Sequence, residues 1–93
     1  MNIFHAPSLA IIGGGRFCRS LLELLLSDLF EDQRPKILGV ADINPEAEGI
    51  RLAAKRGIFT TQNYRDILEF EELKVLLDLS DDSHVAETIQ RIL

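Results

Sequence analysis

The chain alternates between short apolar runs and longer segments in which apolar residues recur every three or four positions. The short runs predict four β-strands, at residues 9–12, 36–41, 58–61 and 73–79. The periodic segments predict helices at about residues 15–29, between 44 and 57, at 63–70, and from about 83 onwards. The order βαβαβαβα is typical of a parallel sheet with right-handed crossovers. We therefore predict an α/β fold, with residues 1–93 forming one domain around a four-stranded parallel sheet in the order 3-2-1-4.

Three consecutive glycines join the first strand to the first helix. Gly13, Gly15 and Cys18 occupy the three marked positions of the pattern G-x-G-x-x-G/A, with cysteine in place of the last small residue. Backbone N–H groups and the helix dipole favour an anion at such a helix start. We predict that Gly13, Gly14, Gly15 and Arg16 bind a diphosphate, with Phe17 beside it. The alternative is a strand-to-helix turn that uses glycine without any ligand.

An acidic residue, Asp42, ends the second predicted strand. In a dinucleotide-binding unit this position hydrogen-bonds the adenosine ribose, and its charge favours NAD over NADP. We therefore predict that Asp42 and its neighbour Ile43 bind the cofactor NAD. The alternative is a turn or helix-capping role, because Asp-Ile-Asn-Pro is also good turn chemistry. Ser80 and Asp81 follow the fourth strand and are predicted to complete the site, because ligands bind where the strand order reverses.

The first predicted helix carries more apolar residues than one sheet face requires. Its inward face is predicted to contain Cys18, Leu21, Leu22, Leu25 and Leu29. Leu24, Leu26 and Phe30 widen this apolar stripe. One interpretation is a well-buried helix. The other is a second contact surface for a homodimer mate or a partner domain.

Composition narrows the possible functions. The net charge of −5, without a run of Lys or Arg, argues against a nucleic-acid-binding protein. No apolar stretch approaches the roughly 20 residues that span a bilayer, so we expect no membrane partner. A single cysteine and no apparent signal peptide favour the cytoplasm. The scattered His and Cys residues show no metal-ligand spacing, and no catalytic residue is identifiable.

Four segments resemble the NAD-binding Rossmann domains of the glucose-fructose/inositol dehydrogenase superfamily and of homoserine and aspartate dehydrogenases. They are Ile11–Gly15, Leu38–Asp42, Ala53–Gly57 and Asp82–Glu87. The resemblance implies a fold and a cofactor rather than a reaction. The sequence departs from these families at Cys18, and the dehydrogenases continue with further strands and a substrate domain that supplies their catalytic residues.

Three functions are compatible with this sequence. The leading hypothesis is an NAD(H)-binding module with a sensory or regulatory role, acting with a partner domain; similar short domains occur in bacterial signalling proteins. The second is the N-terminal cofactor-binding fragment of an NAD-dependent dehydrogenase. The third is a Rossmann-like interaction domain that has no ligand and uses the leucine-rich face of its first helix.

Overall fold

Four parallel strands form one sheet in the order 3-2-1-4, which confirms the predicted α/β fold. The computed structural model describes residues 7–80 and 83–92. The strands are β1 (Ser8–Ile12), β2 (Lys36–Ala41), β3 (Thr60–Thr61) and β4 (Val75–Asp78). The α-helices are α1 (Arg16–Leu25), α2 (Glu48–Lys55), α3 (Arg65–Leu68) and α4 (Ser83–Ile92), and a short 3-10 helix covers Asp28–Phe30.

The two central strands, β1 and β2, carry the core on both faces of the sheet. One apolar cluster packs β1 and β2 against α1 and α2 and includes the fully buried Ile11, Leu22 and Val40. A second cluster on the opposite face packs Ala10 and Leu38 against Ile67 of α3. Strands buried on both faces are typically continuous apolar runs rather than alternating ones, and this is the pattern of both central strands.

Helix α1 ends at Leu25, four residues before the predicted end. The Arg34 side chain donates hydrogen bonds to the carbonyls of Leu25, Leu26 and Ser27 at 3.3, 3.2 and 3.0 Å, so a residue beyond the helix satisfies its C-terminal carbonyls. The chain then forms the 3-10 helix, and Leu29, predicted to face inward, is 81% exposed. No helix in the described ranges is long and apolar enough to cross a membrane.

The outer elements are shorter than the sequence predicts. Strand β3 contains two residues at one edge of the sheet, and α3 contains a single turn. Strand β4, predicted to cover residues 73–79, covers only Val75–Asp78 and occupies the other edge. Its apolar side chains are therefore half-buried.

Cys18 of α1 packs directly against Gly49 of α2. A Cβ atom built on Gly49 would lie 2.7 Å from the Cys18 sulfur, 2.8 Å from the Cys18 Cβ and 2.7 Å from the Gly14 carbonyl oxygen. The third small residue expected on α1 is thus replaced by cysteine, and the space for the thiol is supplied by a glycine on the neighbouring helix. Helices α1 and α2 approach closely as a result.

Replacing Gly49 with alanine will destabilise the fold, although alanine normally favours a helix over glycine. The new methyl group cannot fit unless α2 moves away from both Cys18 and the Gly14 backbone. We expect urea denaturation to show a loss of about 1–3 kcal/mol, as for other overpacked sites. Lys55→Ala, at an exposed position of the same helix, should change stability by less than about 0.5 kcal/mol. Equal stability of the two variants would contradict this packing argument.

Candidate functional site

The carboxyl ends of β1, β2 and β4 meet at one edge of the sheet. Gly13, Asp42 and Ser80 lie there and line a crevice of about 230 Å³. The remaining walls of the crevice are formed by Ile12, Ala41, Ile43, Gln62, Tyr64 and Val85. Ligands of open parallel sheets bind outside the carboxyl ends of the strands, where the strand order reverses. Here that point lies between β1 and β4.

Gly13 is required by the backbone itself. Its φ angle of 101° lies in the region that side chains other than glycine rarely adopt. A Cβ atom at this position would lie 2.7 Å from the Leu79 carbonyl carbon and from the Ser80 nitrogen. Its N–H donates to the Ala41 carbonyl at 2.7 Å. Gly13 therefore brings the ends of β1, β2 and β4 together at van der Waals distance.

Gly14 is held through both of its polar backbone atoms. Its N–H donates to the Asp42 Oδ2 atom at 2.7 Å. Its carbonyl oxygen accepts hydrogen bonds from the N–H groups of Gly49 and Ile50 at 2.6 and 3.2 Å. A side chain is excluded as well, because a Cβ atom would lie 2.6 Å from the Ile50 Cγ1 atom. The start of α2 and the end of β2 thus fix the conformation of the glycine turn.

Gly15 differs from the first two glycines because nothing in the described protein requires it. Its φ angle of −81° suits any residue, and a Cβ atom built there meets no atom within 4 Å. No side chain among the described residues caps the start of α1, and the first helical hydrogen bond runs from Arg19 N–H to the Gly15 carbonyl at 3.0 Å. The N–H groups of residues 16–18 therefore face an open space at the positive end of the helix dipole.

The Asp42 carboxylate organises the turn from the other side. Its Oδ2 atom accepts from Gly14 N–H, and its Oδ1 atom accepts from Asn44 N–H at 2.8 Å. The second bond shows that the predicted turn role of Asp42 exists in the fold. A carboxylate offers about four acceptor positions, so these two bonds leave capacity for ligand hydroxyls. The ribose-binding role remains a prediction.

The other residues predicted to bind the cofactor on these two loops are exposed. Arg16 lies 3.5 Å from Glu48, measured from Nε to Oε2, and its side chain is 91% exposed. Such an exposed ion pair is weak, so the guanidinium can exchange Glu48 for an anionic ligand. Phe17 is 70% exposed and Ile43 is 85% exposed, which leaves two large apolar side chains in contact with solvent beside the crevice.

The segment after β4 contributes backbone and hydroxyl groups. Ser80 donates hydrogen bonds from its N–H and its Oγ–H to the Asp78 Oδ1 atom. Asp78 is exposed at the end of β4. Asp81, predicted to complete the site, lies outside the described residues. Within the described ranges, no three His, Cys, Asp or Glu side chains cluster in a way that could hold a metal ion.

Sequence reasoning missed three residues of this region. Gly49 fixes the Gly14 carbonyl, although its only signal in the sequence is a glycine near the start of a predicted helix. Gln62 and Tyr64 line the crevice from the segment after β3. No motif marks them, because their contribution depends on the β3–α3 connection folding over the end of the sheet.

Cys18 is fully buried beneath the glycine turn. Burial raises the pKa of its thiol from 9.0 to about 11, and the neighbouring Asp42 carboxylate adds to the rise. Since the thiolate is the reactive form of cysteine, the folded environment suppresses nucleophilic chemistry at this residue. Cys18 is a packing residue of the site rather than a reactive one.

Removing the Asp42 side chain will destabilise the apoprotein. Asp42→Ala leaves the Gly14 and Asn44 N–H groups without their carboxylate acceptor, and we expect a loss of about 1–3 kcal/mol in urea denaturation. Asp32→Ala, in the exposed segment after the 3-10 helix, is the matched control and should change stability by less than about 0.5 kcal/mol. If both variants match the wild type, the carboxylate does not hold the turn.

Cys18 will react slowly with iodoacetamide while the protein is folded. At pH 8, the higher pKa alone lowers the thiolate fraction about a hundredfold relative to an unfolded thiol, and burial slows the reaction further. Mass spectrometry of the alkylated protein in buffer and in concentrated urea measures the two rates. Rapid labelling in buffer at the rate seen in urea would show that the α1–α2 contact opens readily.

The function proposed for this chain rests on its fold and on the geometry of the site. No family model, curated protein or solved structure matches it. The function must therefore be inferred from which groups converge at the sheet edge and which ligand they would fit.

Proposed function

We propose that this chain is a cytoplasmic NAD(H)-binding module with a sensory or regulatory role, and that it acts with a partner domain. The diphosphate of the cofactor would bind the N–H groups at the start of α1, beside Gly13, Gly14, Gly15 and Arg16. The adenosine ribose would bind Asp42. Ile43, Phe17 and Ser80 would contact the cofactor from the surrounding loops, with Asp81 as a further predicted contact.

The observation that carries this proposal is the contrast among the three glycines. Gly13 and Gly14 are explained by contacts within the fold, since a Cβ atom at either would lie 2.7 Å or less from a neighbouring atom. Gly15 has an ordinary φ angle and open space around it. Serine, asparagine or aspartate would normally stabilise this helix N-cap as well as glycine or better. A ligand that must approach the backbone closely accounts for glycine there.

The position of Asp42 supports a dinucleotide rather than an isolated phosphate. Its carboxylate is tied to Gly14, so the anion-binding turn and the hydroxyl-binding acid are held in one rigid unit. A diphosphate and its attached ribose have the same juxtaposition of anionic and hydroxyl groups. The negative charge of Asp42 would repel an additional 2′-phosphate, which favours NAD over NADP.

The shape of the crevice supports a module that senses the cofactor rather than one that encloses it for catalysis. At about 230 Å³ the crevice beside Gly13 and Ser80 is smaller than the roughly 300–1,000 Å³ of typical small-molecule sites, and a larger, more open cavity of about 710 Å³ shares Asp42 and Gln62 with it. The nicotinamide end would therefore extend beyond the walls of this crevice. We expect weak binding by the isolated chain and tighter binding when a partner domain covers that end.

Isothermal titration calorimetry with NAD, NADH, NADP and AMP tests the proposal. The wild type should bind NAD or NADH saturably and NADP more weakly. Gly15→Ser places a side chain where the diphosphate would lie but supplies a favourable N-cap. It should therefore keep or raise the thermal stability and lower NAD affinity at least about tenfold, as expected when one close contact is lost.

Gln33→Ser, at an exposed loop position, is the matched control and should bind like the wild type. No binding of any of the four nucleotides at millimolar concentration would reject the proposal for this chain. Unchanged NAD affinity in Gly15→Ser would show that the diphosphate does not bind this turn.

The exposed surface of α1 favours a second candidate function, an interaction domain without ligand. Leu26 and Phe30 pack against the core, but Leu24 and Leu29 remain 45% and 81% exposed. Of the three residues predicted to widen the apolar stripe, Leu24 is thus the exposed one, and Leu29, which was predicted to face inward, adds a second exposed apolar side chain. This function would make any association insensitive to NAD and to Gly15→Ser.

A further inference from the structure

Strand β4 has one paired edge and one edge that no described strand covers. It pairs in parallel with β1, from Leu9 opposite Val75 to Ile12 opposite Asp78, and it is the last strand at one side of the sheet. Backbone N–H and C=O groups that point away from β1 therefore face outward. Natural proteins usually protect such an edge with a short strand, with charged side chains, with proline or with a covering element.

Strand β4 is short and has a charged residue at each end, but its three other side chains, Val75, Leu76 and Leu77, are apolar. Val75 and Leu77 pack at the margin of the cluster beneath α1 and α2, and Leu76 packs at the margin of the cluster beneath α3. All three remain half-buried because the sheet ends beside them. An apolar strand on both faces is typical of the interior of a sheet. The composition of β4 therefore suits a strand that has a neighbour on each side.

The charges at the two ends of β4 indicate what that neighbour is. Lys74 precedes the strand and Asp78 ends it, and both are exposed. They lie two positions before and two positions after Leu76. Side chains alternate along a strand, so Lys74, Leu76 and Asp78 share one face. An antiparallel copy of the same strand, centred on Leu76, would place each lysine opposite an aspartate.

We propose that β4 of a second copy of this chain pairs antiparallel with β4, to form a continuous eight-stranded sheet. A twofold axis that passes between the two Leu76 residues relates the copies. On one face, two Lys74–Asp78 pairs flank the two Leu76 side chains. On the other face, Val75 of each copy lies opposite Leu77 of the other copy. Opposite charges and apolar residues directly across a strand pair are both stabilising.

Neighbouring registers are less favourable. Residues that lie opposite one another across the two β4 strands must project from the same face of the sheet. The twofold axis can therefore pass only beside a residue, and the next possible registers centre it on Val75 or on Leu77. Centring the axis on Val75 places Lys74 opposite Leu76, and centring it on Leu77 places Asp78 opposite Leu76. Both alternatives separate the charges and oppose them to leucine. The Leu76-centred register is therefore self-complementary in charge as well as in hydropathy.

Sedimentation equilibrium of the full chain without nucleotide tests this interface. The wild type should form a dimer in a reversible, concentration-dependent equilibrium. Lys74→Asp and Asp78→Lys each place like charges opposite one another, twice per dimer, and should raise the dimer Kd at least about tenfold. The double variant reverses the charges of every pair across the interface and should restore the wild-type Kd within about threefold, although Asp78→Lys also removes the two hydrogen bonds that Asp78 accepts from Ser80 within its own chain.

Lys55→Asp makes the same charge change as Lys74→Asp on α2, at an exposed position outside β4, and should leave the dimer Kd unchanged. Circular dichroism and urea denaturation of each variant identify any that fails to fold. The proposal is overturned if the wild type stays monomeric at millimolar concentration, or if the single variants dimerise as tightly as the wild type. Failure of the double variant to recover would also overturn the Leu76-centred register. None of these results depends on NAD binding.

Discussion

The rest of this structure depends on the hydrogen bonds that fix the backbone N–H and C=O groups of Gly14. Its N–H is bound by the Asp42 carboxylate at 2.7 Å, and its carbonyl is bound by the first amides of α2. The two backbone polar groups of this one residue therefore link the turn after β1, the end of β2 and the start of α2. A turn held in this way is already ordered before a ligand binds, which lowers the entropic cost of binding.

Close packing around the backbone of Gly14 explains which nearby positions require a small residue. Because Gly13 has no side chain, the backbone after β4 can approach it closely. In the same way, the absence of a side chain at Gly49 leaves room for the Cys18 thiol. The requirement for a small residue has thus moved from the third motif position on α1 to the facing position on α2. The cysteine that departs from the dinucleotide-binding pattern is accommodated by the absence of a side chain at Gly49.

The exposed apolar surface lies away from the crevice as well as beside it. Leu24 and Leu29 lie on or after α1, whereas the half-buried residues of β4 lie at the edge of the sheet. These surfaces suit association with another polypeptide, because burial of apolar area stabilises contacts between chains. If the crevice binds a cofactor as proposed, the same domain presents exposed apolar side chains and an open sheet edge to a neighbouring polypeptide.

The sequence by itself determined the order of strands and helices, because apolar periodicity is a local property. It also placed Gly13, Asp42 and Ser80 at one edge, since the carboxyl ends of parallel strands coincide. Only the tertiary structure decided where α1 ends, because its carbonyls are satisfied by Arg34. Likewise, it alone showed Asp42 bonded to a glycine turn 28 positions earlier and Gly49 making room for a thiol. Such contacts join residues that are distant in the chain. The local pattern of apolar and polar residues does not determine which distant residues come into contact.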